Sequence, residues 1–505
     1  MPWTATQDLP AATAALPDLV RAVAAGAGGC AALIDGPTGL TVGYDVLAAR
    51  IEAVAGGLAA RGFGAGDVLA LWAPNEPRWA GVALASMAAG GAVTGIHPAA
   101  APAEVARQLE ETGARVLVCA PALLEAARPL AGGRTLVVLG DGEGATPVAA
   151  LLGDRGPAVA TAPGDLALLP YSSGTGGPPK PVMLTHANLV AGARQAGIAL
   201  GLTARDTVLA LPPFAHIMGF AVTLCAPLLA GATVVTCPRF DLGAMLALIA
   251  RHRVTVLAVP PPVAALLARH PAGDHDLASL ELIVSGGAPL APGPHERLLT
   301  RFPRVAVGQG YGLTETAVAV SGPDGRAGTP PGTVGRPMAG TALRVVDPAG
   351  RDLGPGEAGE LLVRGPQVMA GYLGRPAATA AAFAGPWLRT GDLGHVRGDG
   401  TVVLEGRLKE LIKVDALQVA PAELEALLLS HPRVADAAVV GRPDERHGEV
   451  PVAMVVPDGA LDADALAGWV AARVAPHKRL RAVRTVSAIP RTPSGKILRR
   501  ALPVR

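Results

Sequence analysis

Neither sign of charge is in excess: 43 basic residues stand against 41 acidic ones for a formal net charge of +2, and the arginines are scattered along the chain. With no field to steer a polyanion, nucleic-acid binding is not expected. Thiols are scarce too. Cys30, Cys119, Cys225 and Cys237 form no CxxC or His/Cys metal spacing, which argues for a reducing compartment and against a catalytic cysteine. The opening residues Met1-Pro2-Trp3-Thr4 lack a basic stretch followed by an apolar run, so no secretory signal is read and the expected location is cytoplasmic. No period of about 20 to 50 residues recurs and no segment is strongly biased in composition, which excludes a solenoid.

What is present is apolar and small. Half of the 505 residues are hydrophobic and only 17% are charged, with Ala, Val and Leu interleaved with Gly and Pro, a texture that suits buried parallel strands between helices. The length exceeds what one core usually serves and predicts about three domain-sized units. Two uncharged stretches, Trp79 to Ile96 and Thr207 to Pro238, are long enough for membrane spans, but their Gly, Pro and His content reads as buried strand and helix pieces.

From about Leu40 to Cys237 short β-branched runs alternate with Ala-rich helical stretches, as in Asp67 to Trp72 followed by Arg78 to Ala89. This is βα repetition. Further strands are predicted at 115–118, 135–138, 233–236, 254–257 and 282–284. Past Gly332, Gly/Pro-punctuated strands at 343–347 and 359–363 predict a smaller β-rich unit. The last 100 or so residues alternate strand and helix, with a helix predicted over 421–430. The fold class is therefore α/β: a large N-terminal domain, 1–406, of βα-built subdomains plus a β-rich unit, and a small mobile α+β C-terminal domain, 407–505.

The strongest local signal is Tyr171-Ser172-Ser173-Gly174-Thr175-Gly176-Gly177-Pro178-Pro179-Lys180, after the apolar run Leu166 to Pro170. Its N–H and hydroxyl donors suit phosphate oxygens, and Lys180 adds charge. In isolation it could equally be a Gly/Pro turn. A Walker A loop needs Ser or Thr after the lysine, and Pro181 follows Lys180, which disfavours a kinase- or GTPase-type site.

Further motifs follow in order: Val182-Met183-Leu184-Thr185-His186, Pro213-Phe214-Ala215-His216, Gly310-Tyr311-Gly312-Leu313-Thr314-Glu315-Thr316, Trp387 to Asp392, Gly406 to Lys413, and Pro490 to Lys496. Through them, nearly the whole chain resembles the superfamily of acyl-CoA synthetases, peptide-synthetase adenylation domains and luciferases, and within it coumarate:CoA ligases. The resemblance implies an enzyme that uses ATP and Mg²⁺ to turn a carboxylic acid into an acyl-AMP and passes the acyl group on. Glycines of 310–316 allow close backbone approach, Tyr311 offers adenine a flat face, Thr314 offers phosphate a hydroxyl, and Glu315 is a hard oxygen ligand for Mg²⁺. Asp392 is placed to accept from ribose hydroxyls by the acidic-residue logic of dinucleotide sites. Lys496 resembles the lysine that bridges carboxylate and α-phosphate during adenylation, where developing charge needs a positioned cation.

The resemblance implies the remaining roles. His216 lies beside the acyl carboxylate, with Met218, Gly219, Val222, Ser285, Gly286, Gly310 and Ala317 around the acyl group. Gly287, Ala288 and Pro289 flank adenine, Gln309 belongs with the nucleotide loop, and Arg407 contacts ribose or phosphate. Lys409 is the hinge of a rotating C-terminal domain. Lys413, Asp415, Ala416, Gln418 and Arg239 lie on the acceptor side.

Three departures bear on function. Gly176, Pro178 and Pro181 replace Thr, Leu and Gly of the usual phosphate loop, predicting a stiffer loop with one hydroxyl fewer. Val414-Asp415-Ala416-Leu417 stands where coumarate-type members carry Tyr-Lys-Gly-Phe. That places a negative charge and a methyl group where anionic CoA arrives, which is unfavourable. Met218 and Val222 replace a tyrosine and a serine near the ring hydroxyl, so the expected acid is hydrophobic, aryl or medium aliphatic. CoA and an amine are both open as acceptor, Arg239 and Gln418 fitting CoA and Asp415-Ala416 fitting an amine. A non-catalytic nucleotide-binding regulator is a third reading, motivated by the altered phosphate loop.

Overall fold

The computed structural model describes every residue except 1, 6, 153–158, 173–178, 271, 272, 274, 416, 445, 493–495, 504 and 505, and the side chain at 500. Among the described residues, a seven-stranded sheet runs in the order Ala306–Gln309, Leu282–Ser285, Val256–Val259, Thr207–Ala210, Thr233–Thr236, Ala31–Asp35, Thr41–Gly43, parallel apart from the last pair. Its inner strands are short apolar runs; Val256–Val259 and Leu282–Ser285 are buried at every position, as expected for strands covered on both faces. The strand predicted at 254–257 begins two residues later because an unbroken apolar run does not mark its own ends.

A second, nine-stranded sheet carries the path Tyr171–Ser172, Lys180–Thr185, Leu166–Leu168, Ala92–Ile96, Val68–Trp72, Val116–Cys119, Thr135–Val138, Thr146–Pro147, with Gly371–Tyr372 also pairing on Lys180–Thr185. One core joins the two sheets. Leu33 comes from the first and Leu69, Leu71 and Val93 from the second, while helices Tyr44–Ala60, Pro77–Ala88 and His186–Ala199 add Leu47, Ile51, Trp79, Leu84 and Leu189. The uncharged stretch from Trp79 is therefore interior helix and strand. Among the described residues no helix is long and apolar enough to cross a membrane.

The β-rich unit is an antiparallel sheet of Trp3–Thr4, Ala342–Val346, Gly359–Arg364, Trp387–Val396, Phe383–Ala384 and Val402–Arg407. Its first strand comes from the chain's beginning. A separate five-stranded sheet, with Ile412–Val414, Leu417–Val419, Val434–Asp444, Gly448–Pro457 and Ala482–Thr485, holds its own core against helices Pro421–Ser430 and Ala463–Ala471 through Leu424, Leu428, Leu466 and Val470. Arg407 ends a strand of the antiparallel sheet and Ile412 begins the next sheet. The change of unit thus falls at 408–411, and Arg407, which the sequence reading gave to the C-terminal domain, ends the last strand of the antiparallel sheet.

Candidate active site

The site forms where parallel strands end, the usual crevice of α/β sheets. After Ser285 and Gln309 the chain enters the glycine-rich turns Gly286-Gly287 and Gly310 to Gly312. A Cβ at Gly312 would lie 1.4 Å from the Val318 carbonyl oxygen, so only glycine lets the loop fold onto 317–318. There Ala317 and Val318 have φ of 43° and 87°, strained conformations for residues with side chains. The apolar segment after His216 forms the π-helix Met218–Cys225, a rare element that often marks functional sites.

These elements enclose a cavity with about 730 Å³ of empty space, counting its open mouth. Its walls are mainly apolar: Ala196, Ala199 and Leu200 at the end of helix His186–Ala199, then Met218, Val222, Val284, Val318 and Met338. Gly286, Gly287, Gly310, Tyr311 and Gly312 supply its narrow backbone walls, while His216, Thr314 and Lys496 also line it. Ser285 lines it as well, buried with no hydrogen-bond partner for its hydroxyl.

Beside the cavity lies a charged cluster. Asp392 and Arg407 face one another across adjacent strands, with Arg407 Nε 2.9 Å from Asp392 Oδ1. Tyr311 Oη donates to Asp392 Oδ2 at 2.7 Å, and the Asp392 amide donates to Thr390 Oγ1 at 3.0 Å. Burial raises the Asp392 carboxyl above its ordinary value, opposed by Arg407 and Tyr311. Lys496 enters from the C-terminal unit, its amide donating to Thr492 Oγ1 at 3.1 Å. Burial and then Arg407 lower the Lys496 ammonium, against the pull of Glu315, Asp392 and Glu410. Burial, Lys496 and His97 push His216 down to about 4, so its imidazole is neutral near pH 7.

Glu315 lies in the short helix Thr314–Thr316, and its Oε1 accepts from Tyr372 Oη at 2.9 Å. The Lys180 ammonium sits 4.9 Å from the centre of the Tyr372 ring. Lys180 and Glu315 are thereby gathered around one tyrosine. Among the described residues no group of three or more His, Cys, Asp or Glu side chains could hold a metal. The lone Glu315 carboxylate fits Mg²⁺, which keeps several waters and takes substrate phosphates as ligands.

Other expected residues lie elsewhere. Ser173, Gly174, Thr175, Gly176, Gly177, Pro178 and Ala416 lie outside the described residues, while Ser172 is buried opposite Lys180. Gly219 and Ala317, read as acyl-pocket residues, do not line the cavity. Gly219 packs on the Pro213 carbonyl and Ala317 on Gly192. Gln309, read with the nucleotide loop, has its side chain engaged with Leu290 and Thr333 backbone groups. It fastens the turn instead of facing the cavity. Ala288 and Pro289 follow the lining glycines without lining the cavity themselves.

Lys409, Lys413, Gln418 and Arg239 are exposed outside the cavity. Asp415 has φ 49°, and its carboxylate lies 2.9 and 3.0 Å from His447 Nδ1, whose Nε2 is 3.0 Å from Arg481. The sequence reading missed Tyr372, Met338, Val318 and the Ala196, Ala199, Leu200 face. That face has helical i, i+3, i+4 spacing, but nothing polar in it points to a pocket.

Solved structures share this fold. The chain superposes on the anthranilate CoA ligase AuaEII in complex with anthranoyl-AMP with TM-score 0.89 and 26% identity, over 97% of this chain and 96% of that one. It superposes on the amide bond synthetase McbA from Marinactinospora thermotolerans with TM-score 0.86 and 31% identity, over 96% and 98%. By class, fold and site together define an adenylate-forming ligase. In sequence, 4-coumarate--CoA ligase 5 of Oryza sativa subsp. japonica is 39% identical over 489 residues, covering 94% of this chain and 91% of the relative. The AMP-binding enzyme model matches residues 20–373 and the AMP-binding enzyme C-terminal domain model matches 423–496. The chain belongs to the AMP-binding enzyme family, as an AMP-forming acid ligase.

Proposed function

We propose that this protein joins a hydrophobic carboxylic acid to AMP, releasing pyrophosphate from ATP, and then transfers the acyl group to CoA. The observation that carries this reading is one cavity with apolar walls into which, among the described residues, Lys496 brings an ammonium that also interacts with Arg407, Glu315 and Asp392.

In the first half-reaction the substrate carboxylate oxygen attacks the α-phosphorus and pyrophosphate leaves. Lys496 binds the oxygens on which charge builds, a preorganised cation inside a cavity of low polarity. Thr314 offers a hydroxyl to the same phosphate. His216, neutral because burial holds its pKa at about 4, donates or accepts a hydrogen bond beside the carboxylate without adding charge. Asp392, fixed by Tyr311 and Arg407, orients the ribose. Lys180 faces the β- and γ-phosphates, and Glu315 would hold Mg²⁺, which supplies charge neutralisation on the triphosphate. In the second half-reaction the acceptor attacks the acyl carbon and AMP leaves.

The acid is neutral beyond its reacting carboxylate. Among the described residues the cavity lining offers no second Lys or Arg to receive another carboxylate, and burying an unpaired charge there would cost ~4 kcal/mol or more. An aryl or medium aliphatic acid fits, an aryl acid being favoured. The few thiols in so long a chain suit a reducing, cytoplasmic setting.

A second acceptor class has specific support. Asp415 holds a carboxylate on the side where an anionic cofactor would arrive, paired with His447, and the likeness to an amide bond synthetase extends over 96% of the chain. Acid, ATP and Mg²⁺ with either CoA or a panel of amines, product mass being measured, tests both. A thioester is the expected product. An amide alone would replace CoA by an amine, and failure of every acid to promote pyrophosphate exchange into ATP would overturn adenylation itself.

A further inference from the structure

Resting on the reading that Lys180 meets phosphates and Glu315 meets Mg²⁺, we propose that Tyr372 is the positioning residue that presents these two groups together for adenylation. Its phenol donates to Glu315 Oε1 at 2.9 Å while its ring carries the Lys180 ammonium 4.9 Å from the centroid. One half-buried side chain thus touches the cation, at the start of strand Lys180–Thr185, and the carboxylate, in the short helix Thr314–Thr316, which lie 135 positions apart in the chain.

The backbone around Tyr372 is fixed to both partners. Tyr372 pairs with Val182 and Gly371 with Met183 in antiparallel register, and the Leu373 amide donates to the Pro181 carbonyl at 3.0 Å. On the other side the Met369 amide donates to the Glu315 carbonyl at 2.9 Å. The Tyr372 amide itself donates to Thr379 Oγ1 at 2.9 Å, which anchors the segment from behind. Three residues on, Arg375 reaches Glu111 at 3.0 Å, and Glu111 accepts from Tyr171 Oη at 2.9 Å. Residues 371–375 therefore form a strap that is tied to Tyr171 and to Lys180, the residues at either end of the phosphate-loop motif.

The chemistry explains why a tyrosine suits this position. An ammonium over a π-face keeps its three N–H donors for another partner, unlike one locked in a salt bridge to Glu315. The phenol meanwhile occupies one carboxylate oxygen with a neutral donor. Direct pairing of Lys180 with Glu315 would neutralise both groups before the nucleotide arrives; interposing Tyr372 keeps them close and separately available. Phenylalanine would retain the ring and lose the donor, and leucine would lose both.

Wild type, Tyr372→Phe and Tyr372→Leu are compared by acid-dependent pyrophosphate exchange titrated with Mg²⁺, and by calorimetric binding of ATP with Mg²⁺ and with EDTA. Tyr372→Phe is expected to raise the half-activating Mg²⁺ concentration about tenfold, the scale of one hydrogen bond to a charged group. It should weaken ATP binding only when Mg²⁺ is present and leave KM for the acid unchanged. Tyr372→Leu is expected to weaken ATP binding in EDTA as well, because Lys180 loses its seat. In a Glu315→Gln background the Tyr372→Phe effect should vanish, since contacting residues do not act additively. Wild-type Mg²⁺ dependence in Tyr372→Phe, or a loss that is equal with Mg²⁺ and with EDTA, overturns the assignment. A wild-type enzyme inert in exchange with every acid would instead overturn the function on which it rests.

Discussion

At the scale of single residues, buried titratable groups outside the cavity set how the fold responds to acid. His186 is fully buried, its Nδ1 accepting from the Leu16 amide at 3.3 Å and its Nε2 unpartnered among the described residues, and burial pushes it down to about 4. Between that value and its ordinary 6.5 the unfolded chain binds the proton and the folded one does not, so stability is lost as pH falls through this window. The full shift corresponds to about 3 kcal/mol. Glu76 acts in the opposite sense. Burial, joined by Asp35 and opposed by Arg78, pushes it up to about 7, and its Oε1 has no partner. From its ordinary 4.5 up to 7 the folded state holds the extra proton, so this group stabilises the fold as pH falls. The urea midpoint is therefore expected to drop from pH 6.5 to 4, and to drop more steeply in Glu76→Gln, which lacks the opposing group. A shallower slope in that variant would show that Glu76 is ionised in the folded protein.

At the scale of elements, the loop from Gly310 to Thr316 is held in shape by what its glycines leave out. Because a Cβ on Gly312 would overlap the Val318 carbonyl, Gly312→Ala must move the backbone that carries Tyr311, Thr314 and Glu315. A displacement near 1 Å at a reacting centre costs about 10² in rate. Pyrophosphate exchange is expected to fall at least about 100-fold, while the far-ultraviolet circular dichroism stays that of the wild type. An active Gly312→Ala enzyme would show that the loop is not held by this contact. The loop was legible in the sequence because its seven residues combine glycines, a tyrosine, hydroxyls and a carboxylate and fall in order with the other motifs that carry the family resemblance; alone they could equally be a glycine turn. The helix at 421–430 was legible from its apolar pattern behind a proline at its first position. Gly219 and Ala317 were misread because neighbours in a motif need not share a direction. On the π-helix Met218 and Val222 face the cavity, while Gly219 turns to Pro213. Tyr372, Met338 and the strand Trp3–Thr4 were missed because each acts through a partner distant in sequence, and such contacts leave no local periodicity.

At the scale of the whole molecule, one lysine of the C-terminal unit reaches into the cavity of the other, separately cored unit. Lys496 belongs to the C-terminal unit yet lines the cavity of the N-terminal one. Three residues after it, Arg499 ties the chain to the inter-unit segment, its Nε 2.8 Å from Glu410 Oε2, and the same guanidinium binds Glu425 of helix Pro421–Ser430. On the function proposed above, this arrangement is the one for adenylation, and we propose that the acceptor reaches the acyl carbon after Lys496 withdraws. Lys409 lies between the last strand of one unit and the first of the next, so a change of backbone there would move the whole C-terminal unit. Proline fixes φ and restricts the residue before it, which makes Lys409→Pro and Lys496→Ala a complementary pair. Lys496→Ala is expected to lower pyrophosphate exchange about 10²-fold or more while still transferring the acyl group from supplied acyl-adenylate. Lys409→Pro is expected to keep exchange and lose transfer. Rapid-quench measurement of both half-reactions checks the pair. If both variants lose the same half-reaction, the two units do not exchange positions between steps, and the acceptor must enter with Lys496 in place.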